Sequence, residues 1–327
     1  MGGVSSHAHV DLKYGDGGMS TTISTRTVHS DKSLMREKMA RSLAPYLLVF
    51  PSFVGVMAFM LIPALAVIVI SFFKWNMLSP PNYVGLHNYV DILHDPIALH
   101  SIVTTAYYVL LNIPLQTVVA IMLALLLNRR LPGMGIFRAL FVLPWLAAPV
   151  AISVVWQWVF DPTSGVFDAL LSSIGLPRLQ WLASPTEALP AVALVNIWQW
   201  TGYNMLFFLA GLQGIPKYLY EASELDGSGK VRQFFSITLP LLRPTLLFVL
   251  VTSVIGSFQV FDTVYVMTQG GPGTSTNVYN FYIFQQGFQF FHMGYAAALS
   301  VILFVVILLV TLFQMRFVGK RTTYDLG

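Results

Sequence analysis

Six apolar runs, each nearly free of charge and long enough to cross a bilayer, constrain what this 327-residue chain can fold into. They lie at 46–73, 102–127, 138–160, 188–214, 244–268 and 295–315. A helix rises about 1.5 Å per residue, so roughly twenty residues span the ~30 Å hydrocarbon layer. In lipid each backbone N–H and C=O must find an internal partner, which leaves helices as the reading for runs of this length. The expected fold is therefore an all-α membrane protein with six transmembrane helices. Composition agrees, because 56% of residues are hydrophobic and 10% charged, against about 25% charged in soluble domains. Pro51, Pro63, Pro114, Pro144 and Pro149 fall within the runs, which argues for packed, irregular helices whose freed carbonyls neighbours satisfy. With no cysteine there are no disulfides or cysteine-ligated metals, and the seven histidines show no ligand spacing. Nothing in the chain points to nucleic acid.

An even number of spans puts both termini on one side of the membrane. That side carries Arg36, Lys38, Arg41, Arg129, Arg130, Lys217, Lys230, Arg232, Arg316 and Lys320, with Arg138 at the rim of the third run. The opposite loops carry Lys74 and Arg178. The positive-inside rule then places both termini and the 215–243 segment in the cytoplasm. Residues 1–42, polar and without an apolar core, read as a disordered cytoplasmic tail. Residues 43–321 form the membrane domain and 322–327 a short C-terminal tail. The first apolar run starts too late and is too long for a cleaved signal peptide, while Met19 and Met35 are alternative starts.

The segment EASELDGSGKVRQFFSITLP, from Glu221 to Pro240, interrupts the apolar pattern with charge. Residues 216–226 put Leu219, Ala222 and Ser223 on one helical face, with Pro216 at the start and Asp226 before a glycine. Gly227 permits a turn that a Cβ would hinder. Beyond it Val231, Phe234, Phe235 and Thr238 recur at helical spacing, and Pro240 and Pro244 bracket the next span. Two short helices at a glycine hinge are expected along the membrane surface, and periodicity by itself fits an ordinary interfacial amphipathic helix equally well. The GSGK at 227–230 is not a phosphate-cradling loop, since Glu224 and Val231 stand where that motif needs Gly and Ser or Thr. No catalytic residues are expected, and energy must come from a partner.

Polar residues inside spans mark either a substrate path or hydrogen bonds between helices. In the fourth run Asn196, Gln199, Trp200, Tyr203 and Asn204 fall at i, i+3, i+4, i+7 and i+8, one continuous polar and aromatic stripe. Amides that bond hydroxyls beside flat aromatic faces suit a polyol or saccharide, and interhelical glue is the bland alternative. The fifth run holds Gln259 and, one turn on, Asp262, its one deep carboxylate. A charge there is costly unless it faces protein or water. Asp262 is read as either a substrate contact or a packing bond near the outer gate. After it TQGGPGTST, at 268–276, must leave helix.

Glu221, Ala222, Gly227, Ile237, Leu239 and Pro240 fall at the spacing of the Glu-Ala-Ala coupling loop of binding-protein-dependent ABC import permeases, with Ser223 in place of the second Ala. The stretches 194–223 and 261–272 resemble the carbohydrate branch of that family, and the likeness covers 43–321. It implies the MetI-like fold and a machine with a second homologous permease, two ATPase subunits that bind ATP and Mg, and an extracytoplasmic solute-binding protein. By resemblance the loop docks on an ATPase subunit through Glu221, Ala222, Ser223, Asp226, Gly227, Ile237, Leu239 and Pro240, and the chain itself needs no cofactor. Asn196, 25 residues before Glu221, matches an asparagine of the maltose-type sugar site. Gln199 and Trp200 differ in type from their counterparts there, and Gln259 aligns approximately with another sugar-contacting asparagine.

The resemblance thus implies half of an import channel for a neutral di- or oligosaccharide, with a glycerol-3-phosphate or glycerophosphodiester importer as the alternative. An ion-coupled secondary transporter predicts paired repeats, which the chain lacks. A membrane enzyme would need clustered titratable groups, almost absent from the spans.

Overall fold

The structure is a computed structural model that describes residues 7–13, 20–26, 46, 48–129 and 131–319. The chain divides into two units, 1–66 and 67–327. In the first, β1 (His7–Lys13) pairs antiparallel with β2 (Ser20–Arg26), Val10 opposite Ile23 and Leu12 opposite Thr21. The β-branched run Thr21, Thr22 and Ile23 favours strand. An unstructured tail was the expectation for this stretch. The rest of 1–42 and the tail at 322–327 lie outside the described residues. The apolar helix α1 (Leu48–Ile70) follows, 23 residues long and close to the expected first span.

From Val67 onward a two-residue hairpin, β3 (Phe73–Lys74) with β4 (Asn82–Tyr83), leads into α2 (His87–His94). The second span is the 32-residue α3 (Pro96–Leu127), which starts six residues before the apolar run expected from 102. Asp95 sets that start. Its Oδ1 accepts the N–H groups of Ile97 and Ala98, and Pro96 occupies the first helical position where no N–H is needed. Its Oδ2 accepts the hydroxyls of Tyr282 and Tyr295, at 2.5 and 2.6 Å, tying α3 to segments some two hundred residues later. Burial opposes the charge, but these four donors together hold the Asp95 carboxyl below the usual carboxylate range.

The third span, expected over 138–160 as an irregular helix, is in fact two helices. They are α4 (Met134–Leu146) and α5 (Pro149–Val159), bent by 98°. Ala147 and Ala148 are extended, at ψ 147° and 129°. The ring of Pro149 drives its predecessor out of helical geometry and removes one donor, so the helix stops and restarts.

After the short helix α6 (Val166–Ser173), the fourth span, α7 (Ala188–Gln213), is the most deeply buried long helix and packs chiefly against α3 and α4. Gly202 makes the α4 contact possible, because a Cβ there would overlap the backbone carbonyl of Phe141. Toward its C-terminal end Met205, Phe208, Leu209 and Leu212 meet Ala120 and Ala124 of α3 and Val249, farther along the chain, in one apolar core. Among the described residues four helices are long and apolar enough to cross a membrane, or five with the bent pair. The 26-residue α7 has the length and carries no charge, but its amides and hydroxyls lower its hydropathy.

The fifth span is also broken. Helix α10 (Arg243–Phe258) ends, residues 259–261 are not helical, and α11 (Asp262–Met267) begins at the very residue expected deep inside a continuous helix. No proline or glycine lies between 259 and 261. The break follows packing: Val260 and Val264 enter a core with Tyr108, Val192 and Phe281, and α11 lies against α5. The chain leaves helix after Met267, as the glycine-rich stretch requires. It then forms α12 (Tyr279–Phe284), a π turn at Gln285–Gln289 and the last span α13 (Met293–Gly319).

Candidate functional site

A cavity of about 190 Å³ lies where α7 faces the end of α10 and the start of α11. All seven polar positions read from the fourth and fifth runs line it: Asn196, Gln199, Trp200, Tyr203, Asn204, Gln259 and Asp262. Helical spacing puts the first five on one face of α7. The break at 259–261 does the rest, bringing Gln259 at the end of α10 and Asp262 at the start of α11 to the same wall. Asp262 is exposed on the cavity wall, not immersed in an apolar helix.

The stripe divides by burial. Gln199 and Asn204 are 2% and 3% exposed, and each reaches a neighbouring segment: Gln199 Nε2 toward the carbonyl of Ala147 at 3.5 Å, Asn204 Nδ2 toward Ser253 Oγ at 3.4 Å. These are at the long limit of hydrogen bonding, and both amides combine packing with a place on the wall. Asn196 and Tyr203 are half-buried and Trp200 more open. Tyr203 stacks on Trp145 at 4.5 Å and meets Trp200 edge to face at 5.8 Å. A flat aromatic shelf thus stands beside amides and hydroxyls, a surface suited to a ring that is apolar on its faces and hydroxylated at its rim.

Several wall residues were not singled out from the sequence: Gln116 of α3 and Thr252, Ser253 and Ser257 of α10. Gln116 could have been found, since it follows Asn112 by one turn inside an apolar run. The hydroxyls could not, because Ser and Thr satisfy themselves on their own helix, as Thr252 does on the carbonyl of Phe248 at 2.9 Å. Among the described residues Asp262 is the one carboxylate on the wall, and no Lys, Arg or His lines it. No group of residues there could hold a metal ion.

The second region is the segment after α7. Helix α8 (Lys217–Leu225) follows Pro216, and α9 (Lys230–Gln233) continues through a π turn at Phe234–Thr238 to Leu239–Leu241. The turn between them is a Schellman motif: the N–H of Ser228 bonds the carbonyl of Ser223 and that of Gly227 the carbonyl of Glu224, both at 3.0 Å. Gly227 has φ +76°, which is why glycine stands there. Tyr220 bonds Thr238 across the two arms at 2.9 Å, and Gln233 reaches the Tyr220 carbonyl at 3.4 Å. Leu219, Tyr220, Ile237 and Leu241 anchor the arms on the core. Glu221, Ala222, Asp226 and Gly227 are exposed, while Ser223, Leu239 and Pro240 are half-buried. Leu225 and Val231, 91% and 73% exposed, present apolar surface beside them. Lys230 pairs with Glu224 at 3.0 Å, and that bond and charge hold the Glu224 carboxyl below its usual range.

Residues 98–324 match the family described as binding-protein-dependent transport system inner membrane component. The chain is similar to the probable ABC transporter permease protein YesP of Bacillus subtilis, 37% identical over 83% of this chain and 89% of the relative. It is likewise similar to the trehalose/maltose transport system permease protein MalF of Thermococcus litoralis, 33% identical over 84% and 93%. Among solved structures it shares the fold of a chain of a bacterial ABC transporter involved in the import of the acidic polysaccharide alginate. That match has a TM-score of 0.78 and 23% identity, and covers 88% of this chain and 99% of the other.

Proposed function

The chain belongs to the family of binding-protein-dependent transport system inner membrane components, and on that premise we propose that it lines half of an import pathway for a neutral sugar and takes its energy from partner ATPases through the α8–α9 turn. One observation carries the sugar reading. The five stripe residues with Gln259 and Asp262 surround a single cavity that offers amides, hydroxyls and an aromatic shelf, and no cation. An anionic substrate would meet the Asp262 carboxylate without a compensating Arg or Lys, at a Coulombic cost. A hydroxylated neutral ring meets donors and acceptors it can pair. The similarity to a trehalose/maltose permease protein supports the same class.

The remaining parts of the machine are proposed with it. A second permease completes the channel, an extracytoplasmic binding protein delivers the sugar, and two ATPase subunits hold ATP and Mg. Both termini and the α8–α9 segment lie in the cytoplasm, where the cations of the connecting segments concentrate. Exposed Glu221, Ala222 and Asp226, flanked by Leu225 and Val231, form the surface offered to an ATPase subunit. Closure of the ATPase pair would then move α8 and switch the cavity between the two sides of the membrane as a rigid body.

The test is uptake by the assembled transporter in vesicles, comparing Asn196→Ala with Leu206→Ala. Asn196 lines the cavity and Leu206 does not. Leaving a substrate hydroxyl unpaired costs about 1–3 kcal/mol at that contact. Asn196→Ala should therefore cut uptake or change substrate range while assembly and basal ATPase activity persist, and Leu206→Ala should leave specificity alone. Normal uptake by Asn196→Ala, or loss explained by failed assembly, removes the pocket assignment. Preferred uptake of a glycerol phosphate would overturn the neutral class.

A further inference from the structure

A second, larger cavity of about 1150 Å³ opens between the end of α3, the start of α4 and the α8–α9 segment, at the opposite end of α7 from the outer loops. Four cations line it, Arg129, Arg138, Lys217 and Lys230, and among the described residues no carboxylate does. Glu224 partly neutralises Lys230. Arg129 and Lys217 are exposed and form no ion pair among the described residues. Arg138 is held in place by its bond to the Leu127 carbonyl at 2.8 Å, with its buried Nε unpartnered. The rest of the wall combines the apolar side chains of Leu131, Met134, Leu212, Ile215, Phe234 and Phe235 with the polar groups of Asn128, Gln213, Tyr220, Gln233 and Thr238.

Cations that lack counter-charges beside an apolar wall match a ligand with an anionic head and a hydrocarbon tail. We propose that this cavity holds the headgroup and upper acyl chain of an anionic phospholipid of the cytoplasmic leaflet. The phosphate would lie on Arg129, Lys217 and Arg138 and the chain against Leu131, Met134 and Phe235. The inference rests on the orientation given above. A soluble phosphate would use the cations and leave the apolar wall wet. A lipid uses both, and its headgroup sits at the depth where spans α3 and α7 end and charged segments begin. Because the cavity is walled on one side by α8 and α9, a bound lipid would brace the segment offered to the ATPase.

The assembled transporter, placed in nanodiscs of phosphatidylglycerol and phosphatidylcholine in equal parts and re-extracted into detergent, is examined by native mass spectrometry for retained lipid. The wild type should retain phosphatidylglycerol preferentially. Each cation near the membrane surface contributes about fivefold, so Arg129→Gln with Lys217→Gln should weaken retention roughly thirtyfold. Lys74→Gln, the same kind of charge loss in the exposed β3 segment, should change nothing. Equal retention by the double variant overturns the proposal. So does displacement of the lipid by soluble glycerol phosphate, which would mark a site for a soluble anion. Absence of the lipid with crosslinking of Lys217 to an ATPase subunit would instead make the cavity a protein contact. Retained lipid reads this cavity and uptake reads the sugar pathway, so either reading can fail without the other.

Discussion

Two glycines, one inside the helix that walls the cavity and one in the surface turn, are required for opposite reasons. Gly202 sits mid-helix in α7, where a Cβ would strike the Phe141 carbonyl of α4. Gly227 has nothing within 4 Å of where a Cβ would be, and is demanded by its own backbone at φ +76°. The first is a property of two helices pressed together and the second of six consecutive residues. The cavity is a tertiary product whose walls come from segments far apart in the chain. The turn is closed by bonds between residues 223 and 228 and would keep its form wherever α8 and α9 were placed.

That contrast breaks if substitutions in the two regions behave alike. The largest effect is expected at Gly202→Val. Overpacking costs about 1–3 kcal/mol when side chains can yield, and here a backbone must move, so the loss should reach at least the top of that range. Detergent-extracted protein should show a collapsed melting temperature, and transport and assembly should fail together. An unchanged melting temperature would mean that α4 is not held against α7.

Next comes Gly227→Leu, where the cost is about 1–2 kcal/mol of left-handed backbone strain without a clash. The membrane domain should stay folded while ATP hydrolysis and uptake become uncoupled or the ATPase no longer associates. Normal uptake in reconstituted vesicles would refute the coupling role of the turn.

The smallest effect sharpens the comparison. Glu224→Gln removes the exposed pair with Lys230, and exposed pairs contribute little and are screened by salt. The folded carboxyl sits below its ordinary range, so whatever the pair adds is present above the unfolded value and is lost as pH falls through the folded one. No resolvable shift in melting temperature is expected at neutral pH. A clear drop at low salt would show that the turn depends on charge as well as on the glycine.

Much of this was legible beforehand because it is local. Spacing along one helix put Asn196, Gln199, Trp200, Tyr203 and Asn204 on a common face, and a glycine between two amphipathic stretches announced the hinge at Gly227. The hydroxyls of Thr252, Ser253 and Ser257 were silent, since a Ser or Thr in an apolar run can bond its own helix and so announces no partner, although Ser253 and Ser257 in fact accept from Asn204 and Asn112. Pro149 announced a disturbance in the third run, but proline permits a kink or a full stop, and the 98° bend is what its neighbours accommodate.

The sequence by itself determined where the apolar runs lie, how the cations are distributed among the segments between them, and the stripe on α7. Each depends on residue type and helical period, which tertiary contacts do not alter. Only the tertiary structure decided the break at 259–261. No residue there forbids a helix, yet the helix stops at Phe258 and resumes at Asp262, with Val260 and Val264 in a core shared with residues of other helices. Burial of those side chains outweighs the few backbone hydrogen bonds lost, and the same break turns Asp262 and Gln259 toward the cavity.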